Sequence, residues 1–390
     1  MGQSSGTKFD IEVEQLGVGD KAPHVVVAIP VKDEVERIPL CLEALALQVD
    51  VDFAEIAVVL LLNNCTDGTA EAVREIAPLL PFRLEMHRVD LAPAYANAGW
   101  ARKLAMDAAE RLAAPDGLIL TTDADTLAHE EWIAANRREI EGGHDAVAGY
   151  VMADPMELML LPPAILERGS LEWEYQQLAG ELDARVDPEP HDPWPRHNQN
   201  CGASAAVTAA AYRAIGGLPP RPVGEDRALF EMVRRMDGRI RHSLEVQVTT
   251  SARTDGRASG GLADEIRLRT DPSHPCDDAL EVAISTFRRA LWRSQLRALW
   301  RAGQMDSHAE AWAKRLRIPL ENVRAALGRH PYFGAFWAEL ESQSPRLVWR
   351  LVTMDGLKRE LRRMRRLVDS ARARDKAAAK ATVTKKVRAA

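Results

Sequence analysis

Asp123-Ala124-Asp125 closes an apolar run, Leu118-Ile119-Leu120-Thr121-Thr122, and Thr126 follows it. Two carboxylates at i and i+2 of an extended segment point to one side, because strand side chains alternate. At a strand's exit they lie where open α/β sheets place their ligand crevice. A divalent cation held there by hard oxygen ligands can neutralise a diphosphate. The spacing alone is not distinctive. Asp50-Val51-Asp52 repeats it ahead of a strand instead of after one, so position along the chain has to decide.

Four other stretches carry residues able to do chemistry. Pro30-Val31-Lys32-Asp33-Glu34 follows an apolar run; such residues meet a nucleotide, or Asp33 and Glu34 simply favour a helix start. Asn63-Asn64-Cys65-Thr66-Asp67-Gly68-Thr69 offers short side chains for a base edge or a ribose. Plain turn chemistry, with Asp67 or Thr66 as a cap, reads the same residues. Glu225-Asp226 opens a helix after Gly224. Acids are ordinary there, yet a carboxylate so placed can also take a proton from a hydroxyl. Arg253-Thr254-Asp255-Gly256-Arg257-Ala258-Ser259-Gly260-Gly261 combines arginine forks with glycines. That combination suits a phosphate, with a solvated loop as the alternative.

Alternating strand and helix signals position these stretches. His24 to Ile29, Ile56 to Leu62, Leu84 to Val89 and Leu118 to Thr122 read as strands. Helices are expected at about 36–47, 69–77 and 97–113. Short apolar strands alternating with helices predict βαβ units and a mostly parallel sheet covered on both faces. Beyond Met152 the character changes, with one helix expected near 164–182 and then an irregular stretch holding His191, Trp194, His197 and Asn200. Trp194 there could stack on a sugar or pack a lid, and the histidines lack a zinc spacing with cysteines. Helices are expected again at 204–215 and 225–237, and an extended segment at 240–250. From about Asp277 the pattern is helical, with Trp292, Trp300, Trp312 and Trp337 as core anchors. Residues 1–20 read as a loose arm without a signal peptide. Residues 357–390 read as a basic tail with a frayed or disordered end.

With 390 residues and 46% hydrophobic content the chain can bury a large core. A net charge of −6 gives no overall attraction to nucleic acid. No apolar run reaches the ~20 residues of a membrane span. Cys41, Cys65, Cys201 and Cys276 are far apart and form no CxxC pair, which predicts thiols in a reducing cytoplasm.

Taken in order, Ile29-Pro30, Thr66-Asp67-Gly68-Thr69, Asp123-Ala124-Asp125, Gly216-Gly217-Leu218-Pro219 and Glu225-Asp226 resemble glycosyltransferase family 2. The resemblance covers about 24–262. It implies a GT-A Rossmann-like domain, an NDP-sugar donor (UDP- or GDP-sugar), Mg²⁺ or Mn²⁺, and inverting transfer. By that resemblance Pro30, Asp33, Glu34, Asn63, Asn64, Asp67, Arg102, Asp123 and Ala124 line the nucleotide pocket. Asp123 and Asp125 hold the metal, with Asp125 the direct ligand. Asp226 is the general base, and Glu225 positions acceptor or base. Trp194, Asn200 and Gly202 face the acceptor, while Arg253 and Arg257 bind the diphosphate.

The chain departs from the family twice. Asn63-Asn64 stands where the family usually has an acidic pair, and Thr249-Thr250-Ser251 stands where many relatives place a metal-binding histidine, with His242 upstream. The expected layout is an arm at 1–20, a GT-A domain at 21–265 with an acceptor-side lid at 153–203, a helical extension at 275–356, and the tail at 357–390. Expected partners are the nucleotide-sugar and a small-molecule, lipid or glycan acceptor, with peripheral membrane contact through the basic tail left open. Two rivals share these features: a nucleotidyltransferase, and a degenerate transferase domain acting as a scaffold.

Overall fold

The computed structural model describes residues 9–17, 19, 21–257, 260–271 and 273–389. Residues 1–8, 18 and 20 of the expected arm, 258 and 259 of the Gly-rich loop, and 390 of the tail lie outside the described residues. In chain order the elements are β1 (Glu12–Gln15), β2 (Val25–Val31), α1 (Ile38–Ala46), β3 (Ile56–Asn63), α2 (Thr69–Ile76), β4 (Arg83–Val89), α3 (Ala98–Leu112), β5 (Leu118–Thr121), β6 (Thr126–Ala128), α4 (Trp132–Glu141), β7 (Ala146–Ala153) and α5 (Pro155–Leu158). Then come α6 (Pro163–Val186), β8 (Ala205–Thr208), α7 (Ala209–Ala214), α8 (Glu225–Arg235), β9 (Ile240–Thr250), α9 (Leu262–Leu268), α10 (Ala283–Arg301), α11 (Met305–Leu316), α12 (Leu320–Arg329), α13 (Phe333–Gln343) and α14 (Leu357–Ala389). They divide into two compact units, one of Met1–Leu160, Gln199–Val233 and Gly238–Arg267, the other of Leu161–Asn198, Arg234–Asp237 and Leu268–Ala390.

The first unit is built on a nine-stranded sheet in the order β1-β4-β3-β2-β5-β8-β7-β9-β6. β4, β3, β2 and β5 are mutually parallel. Every residue of β3 and β5 is buried, as expected of strands covered on both faces. The expected α/β architecture is therefore present, with a parallel core flanked by helices and followed by a helical region. The other half of the sheet is mixed. β8 runs antiparallel to both β5 and β7, while β9 is parallel to β7 and antiparallel to β6.

Two local expectations change. Residues 204–215 are not one helix: Ala205–Thr208 is β8, and Thr208 caps the short α7 by accepting from Ala211 N at 3.1 Å. Alanine has high helix propensity, but ladders on both sides and full burial favour the strand. The expected arm contains β1, which pairs antiparallel with β4 and is fixed by a fork from Arg74 to Glu14. The β7–β9 register shifts between Gly149 and Tyr150, where Leu244, Glu245 and Val246 of β9 have no partner in β7. A Cβ on Gly149 would fall 2.0 Å from Ser204 Oγ, the oxygen that accepts from the Trp132 indole at 2.9 Å.

The second unit pairs α6 with α14. Leu357, Leu361, Met364, Val368 and Ala371 are buried along one stripe of α14, and Arg168, Glu172, Tyr175, Leu182 and Val186 along α6. Three ion pairs flank this seam: Lys358–Glu167, Arg365–Glu174 and Arg372–Glu181. Both partners advance by one heptad at each step, so the two helices run parallel in coiled-coil register. The stretch expected as a loose tail is thus a docked amphipathic helix over Leu357–Ala371. A second core gathers Trp292, Trp312 and Trp337 with Phe333 and Phe336, and Trp300 packs on Phe336 at 5.1 Å between ring centroids.

Because its Cβ has no space, Gly149→Ala should destabilise the protein by about 1–3 kcal/mol. Urea denaturation followed by tryptophan fluorescence will measure this.

Candidate active site

Four strand exits and the start of α8 bring the candidate residues together. α8 begins at Glu225, so the two adjacent acids fall in its first turn, where the helix dipole favours negative charge. Their side chains diverge. Glu225 is buried, and its Oε1 accepts from Arg102 Nε at 3.0 Å. Asp226 accepts two backbone N–H groups: Gly202 on Oδ2 at 2.9 Å and Arg227 on Oδ1 at 2.7 Å. The amides fix the direction of this carboxylate, and each oxygen keeps a second lone pair.

Arg102, on α3, joins these groups. Its Nη2 donates to Asp123 Oδ1 at 2.6 Å, and its Nη1 donates to Thr121 Oγ1 at 2.9 Å and to the Gly202 carbonyl at 3.1 Å. The side chain is 6% exposed. Burial works against its charge, yet the Asp123 and Glu225 carboxylates hold the guanidinium more firmly protonated than usual. Arg102 is committed to protein partners, which differs from the nucleotide-pocket lining that the resemblance implies for it. Thr121 and Glu225 were not foreseen as its partners. A Cβ on Gly202 would come within 2.6 Å of the Arg102 guanidinium, so residue 202 has to be glycine for the fork to close.

A second charged group surrounds Asp125. Arg253 forks onto Glu34, its Nη1 reaching Oε2 at 2.9 Å and its Nη2 reaching Oε1, and Nη2 also lies 3.1 Å from Asp125 Oδ2. Burial, then the Asp123 and Glu34 carboxylates, push the Asp125 carboxyl up to about 6, with Arg253 opposing them. The neighbouring Ser251 donates its N–H to the Asp125 carbonyl at 3.2 Å, and Thr250 pairs with Thr126 in register. The stretch where relatives carry histidine therefore does abut the Asp125 segment. The chain puts Arg253 there as its cation. Arg257 donates Nε to the Asp33 carbonyl at 3.1 Å and is 42% exposed.

Glu157, on α5, had no place in the sequence reading. It accepts from Arg37 at 2.8 Å, from Ser251 Oγ at 2.7 Å and from Ala252 N at 2.6 Å. These bonds hold it below the ordinary carboxylate range despite burial, which works to raise it. They also tether the chain leading to Arg253. The local signal, Asp154 capping Met156 N with Glu157 in the first turn, is visible in sequence; its distant partners are not.

The remaining candidates separate by partner. Asp67 accepts from Thr69 N, Thr69 Oγ1 and Val35 N, so turn chemistry accounts for it. The Asn64 amide pairs with both backbone groups of Leu91, at 3.0 and 3.2 Å. Asp33 accepts from Thr66 N at 2.7 Å. Pro30 lies near the end of β2, Asn63 is buried at the end of β3, and Ala124 is buried between the two aspartates. Asn200 is half-buried in the first unit, and Trp194 is half-buried in the second.

Residues 26–192 match the family model described as glycosyl transferase family 2. That segment, somewhat under half of the chain, is what it shares with the family. The matched segment contains Asp123, Asp125 and Arg102, while Glu225, Asp226, Arg253 and Arg257 lie beyond it. No curated protein matches the chain. Among solved structures it is similar to S. aureus TarS 1-349 in complex with UDP, with 14% identity, a TM-score of 0.43, and coverage of 90% of this chain and 91% of that one. It is also similar to the mannosyltransferase PcManGT from Pyrobaculum calidifontis in complex with GDP-Man and Mn²⁺, with 19% identity, a TM-score of 0.43, and coverage of 84% and 88%. A third is glucosyl-3-phosphoglycerate synthase from Mycobacterium tuberculosis in complex with Mn²⁺, UDP and phosphoglyceric acid, with 15% identity, a TM-score of 0.37, and coverage of 64% and 77%.

Among the described residues no three His, Cys, Asp or Glu side chains form a cation cage. The hard oxygen donors of Asp123 and Asp125 nevertheless have the chemistry to hold a divalent cation. Mg²⁺ is commonly bound through one or two carboxylates plus substrate phosphates. Asp125, crowded by Asp123 and Glu34, is a carboxyl that added positive charge would favour in its ionised form.

Arg102→Leu leaves two buried or half-buried carboxylates without their cation and should cost about 3–5 kcal/mol. Arg102→Lys keeps the charge but loses the planar fork, and should recover only part of that stability. Paired chemical denaturation curves will show the ranking.

Proposed function

We propose that the chain transfers a sugar from a nucleoside diphosphate sugar, with uridine or guanosine as the base, to an acceptor hydroxyl with inversion at the anomeric carbon. The observation that carries this reading is the Arg102 junction. It joins Asp123 at the exit of β5, inside the segment that matches the family 2 glycosyltransferase model, to the helix start bearing Asp226 beyond that segment.

The acceptor oxygen bonds to the anomeric carbon as the bond from that carbon to the diphosphate oxygen breaks. Asp226 takes the hydroxyl proton. Its two amide bonds aim the carboxylate before the substrate arrives, which is the positional part of general base catalysis. Glu225 acts on the other side of the helix start, where its bond to Arg102 fixes the position of α8. Asp33, Pro30 and Asn63 line the nucleotide pocket, and Asn64 and Asp67 shape its loops. Arg253 and Arg257 turn to the departing diphosphate, where a guanidinium matches two phosphate oxygens.

Mg²⁺ or Mn²⁺ held by Asp125 and Asp123 would supply further positive charge to that diphosphate. Asn200 and Gly202 face the acceptor, whose class is a small molecule, a lipid or a glycan.

Asp226→Asn removes the proton acceptor while keeping the side-chain shape. Turnover should fall at least ~100-fold with donor affinity within a few-fold of the parent. Near-normal turnover in that variant would remove the base assignment. A thermal-shift screen of nucleotide-sugars with Mg²⁺ or Mn²⁺ should show one donor raising the melting temperature, because a ligand that binds only the native state stabilises it. Excess chelator should abolish both that shift and transfer. Full activity in chelator would dismiss the cation.

A further inference from the structure

The outer flank of α14 combines positive charge with apolar surface in a way the transferase chemistry does not use. Between 357 and 378 the helix carries nine Lys and Arg against three Asp and Glu. The ladder to α6 neutralises one flank at Lys358, Arg365 and Arg372. The other flank carries Arg359, Arg362, Arg363 and Arg366, which recur at i, i+3, i+4 and i+7 and so share one face. Exposed Asp369, which pairs with Arg372, lies at its edge towards the ladder, and the acid on its inner side is Glu360. That carboxylate is buried, pairs with Arg359 and Arg363, and also accepts the Ala283 N–H at 3.2 Å. Arg362 and Arg366 are exposed and have no carboxylate partner among the described residues.

Beside this flank lies a recess of about 490 Å³ lined by Ile284, Arg363, Arg366, Leu367 and Ser370. Ile284, at the start of α10, is 51% exposed. Leu351, 44% exposed, belongs to the segment bridged to Glu281 just before α10. The site thus has an apolar floor and a rim of two guanidinium groups.

The geometry points to this face as a docking surface for an anionic phospholipid bilayer. The guanidinium groups of Arg362, Arg363 and Arg366 meet lipid phosphates, while Ile284 and Leu367 enter the boundary between headgroups and acyl chains. A basic helix with apolar residues at its edge lies in the plane of an anionic membrane in this way. Charge complementarity favours this occupant: the face has cations without partners, and the apolar recess gives an acyl chain a place that a free anion would leave unfilled. The surface belongs wholly to the second unit, so the inference stands whether or not the proposed transfer reaction is correct.

The test is flotation of the full chain with vesicles of phosphatidylcholine alone and with 30% phosphatidylglycerol, at 0.1 M salt. The protein should float with the anionic vesicles and remain behind with the neutral ones. The double variant Arg362→Glu, Arg366→Glu should bind at least tenfold less, and Ile284→Ser at least threefold less, both with unchanged melting temperatures. Equal binding to both vesicle types would overturn the proposal, as would anionic binding that survives both variants. Failure to float with the anionic vesicles would overturn it too, including a case where the chain retains RNA instead.

Discussion

The candidate site depends on one buried guanidinium. Arg102 touches three separate segments: the exit of β5 at Thr121 and Asp123, the loop at Gly202 and the start of α8 at Glu225. Each of these needs a partner of opposite charge or a donor, because burial without one is costly. The fork geometry of arginine serves all of them at once. Lysine could not, since its ammonium is a compact point charge. Arg102 therefore ties Asp123, proposed to hold a cation, to the helix start that carries Asp226, proposed to accept a proton.

The second constraint is the balance of charge around Asp125. The Asp123 and Glu34 carboxylates both act on Asp125, and burial amplifies the repulsion. Arg253 offsets part of it while its approach is held by Glu157 through Ser251 and Ala252. A chain that lacks the expected histidine thus keeps a positive group in the same neighbourhood by another route. Its loop is positioned by an acid on a four-residue helix, whose bonds to Arg37 and to the backbone amide of Ala252 are made only in the folded chain.

In the second unit the decisive feature is register. The α6–α14 seam is apolar at its centre and ionic at its edge, and its three ion pairs advance in step along both helices. Exposed pairs of this kind contribute little stability individually. Their value is in fixing which residues face α6, and hence which arginines are left pointing away from it. A run of Lys and Arg that looks like a solvated tail becomes a helix with one neutralised flank and one charged flank.

The sequence by itself determined the parallel core and the residue types of the site. β2, β3 and β5 are legible because strands buried on both faces must be continuously apolar, and Asp123, Asp125, Glu225 and Asp226 are legible because carboxylates at strand exits and helix starts follow a local rule. β8 was not legible: its alanines suit a helix, and only the ladders supplied by β5 and β7 make the strand favourable. Nor were the roles of Arg102 and Asn64. Their types allow contact with a nucleotide, but partners from other segments take up their hydrogen-bonding groups. Local periodicity and capping act over a few residues and can be read from the chain. Which buried charge meets which partner depends on contacts between separate segments, and those exist only once the tertiary structure has formed.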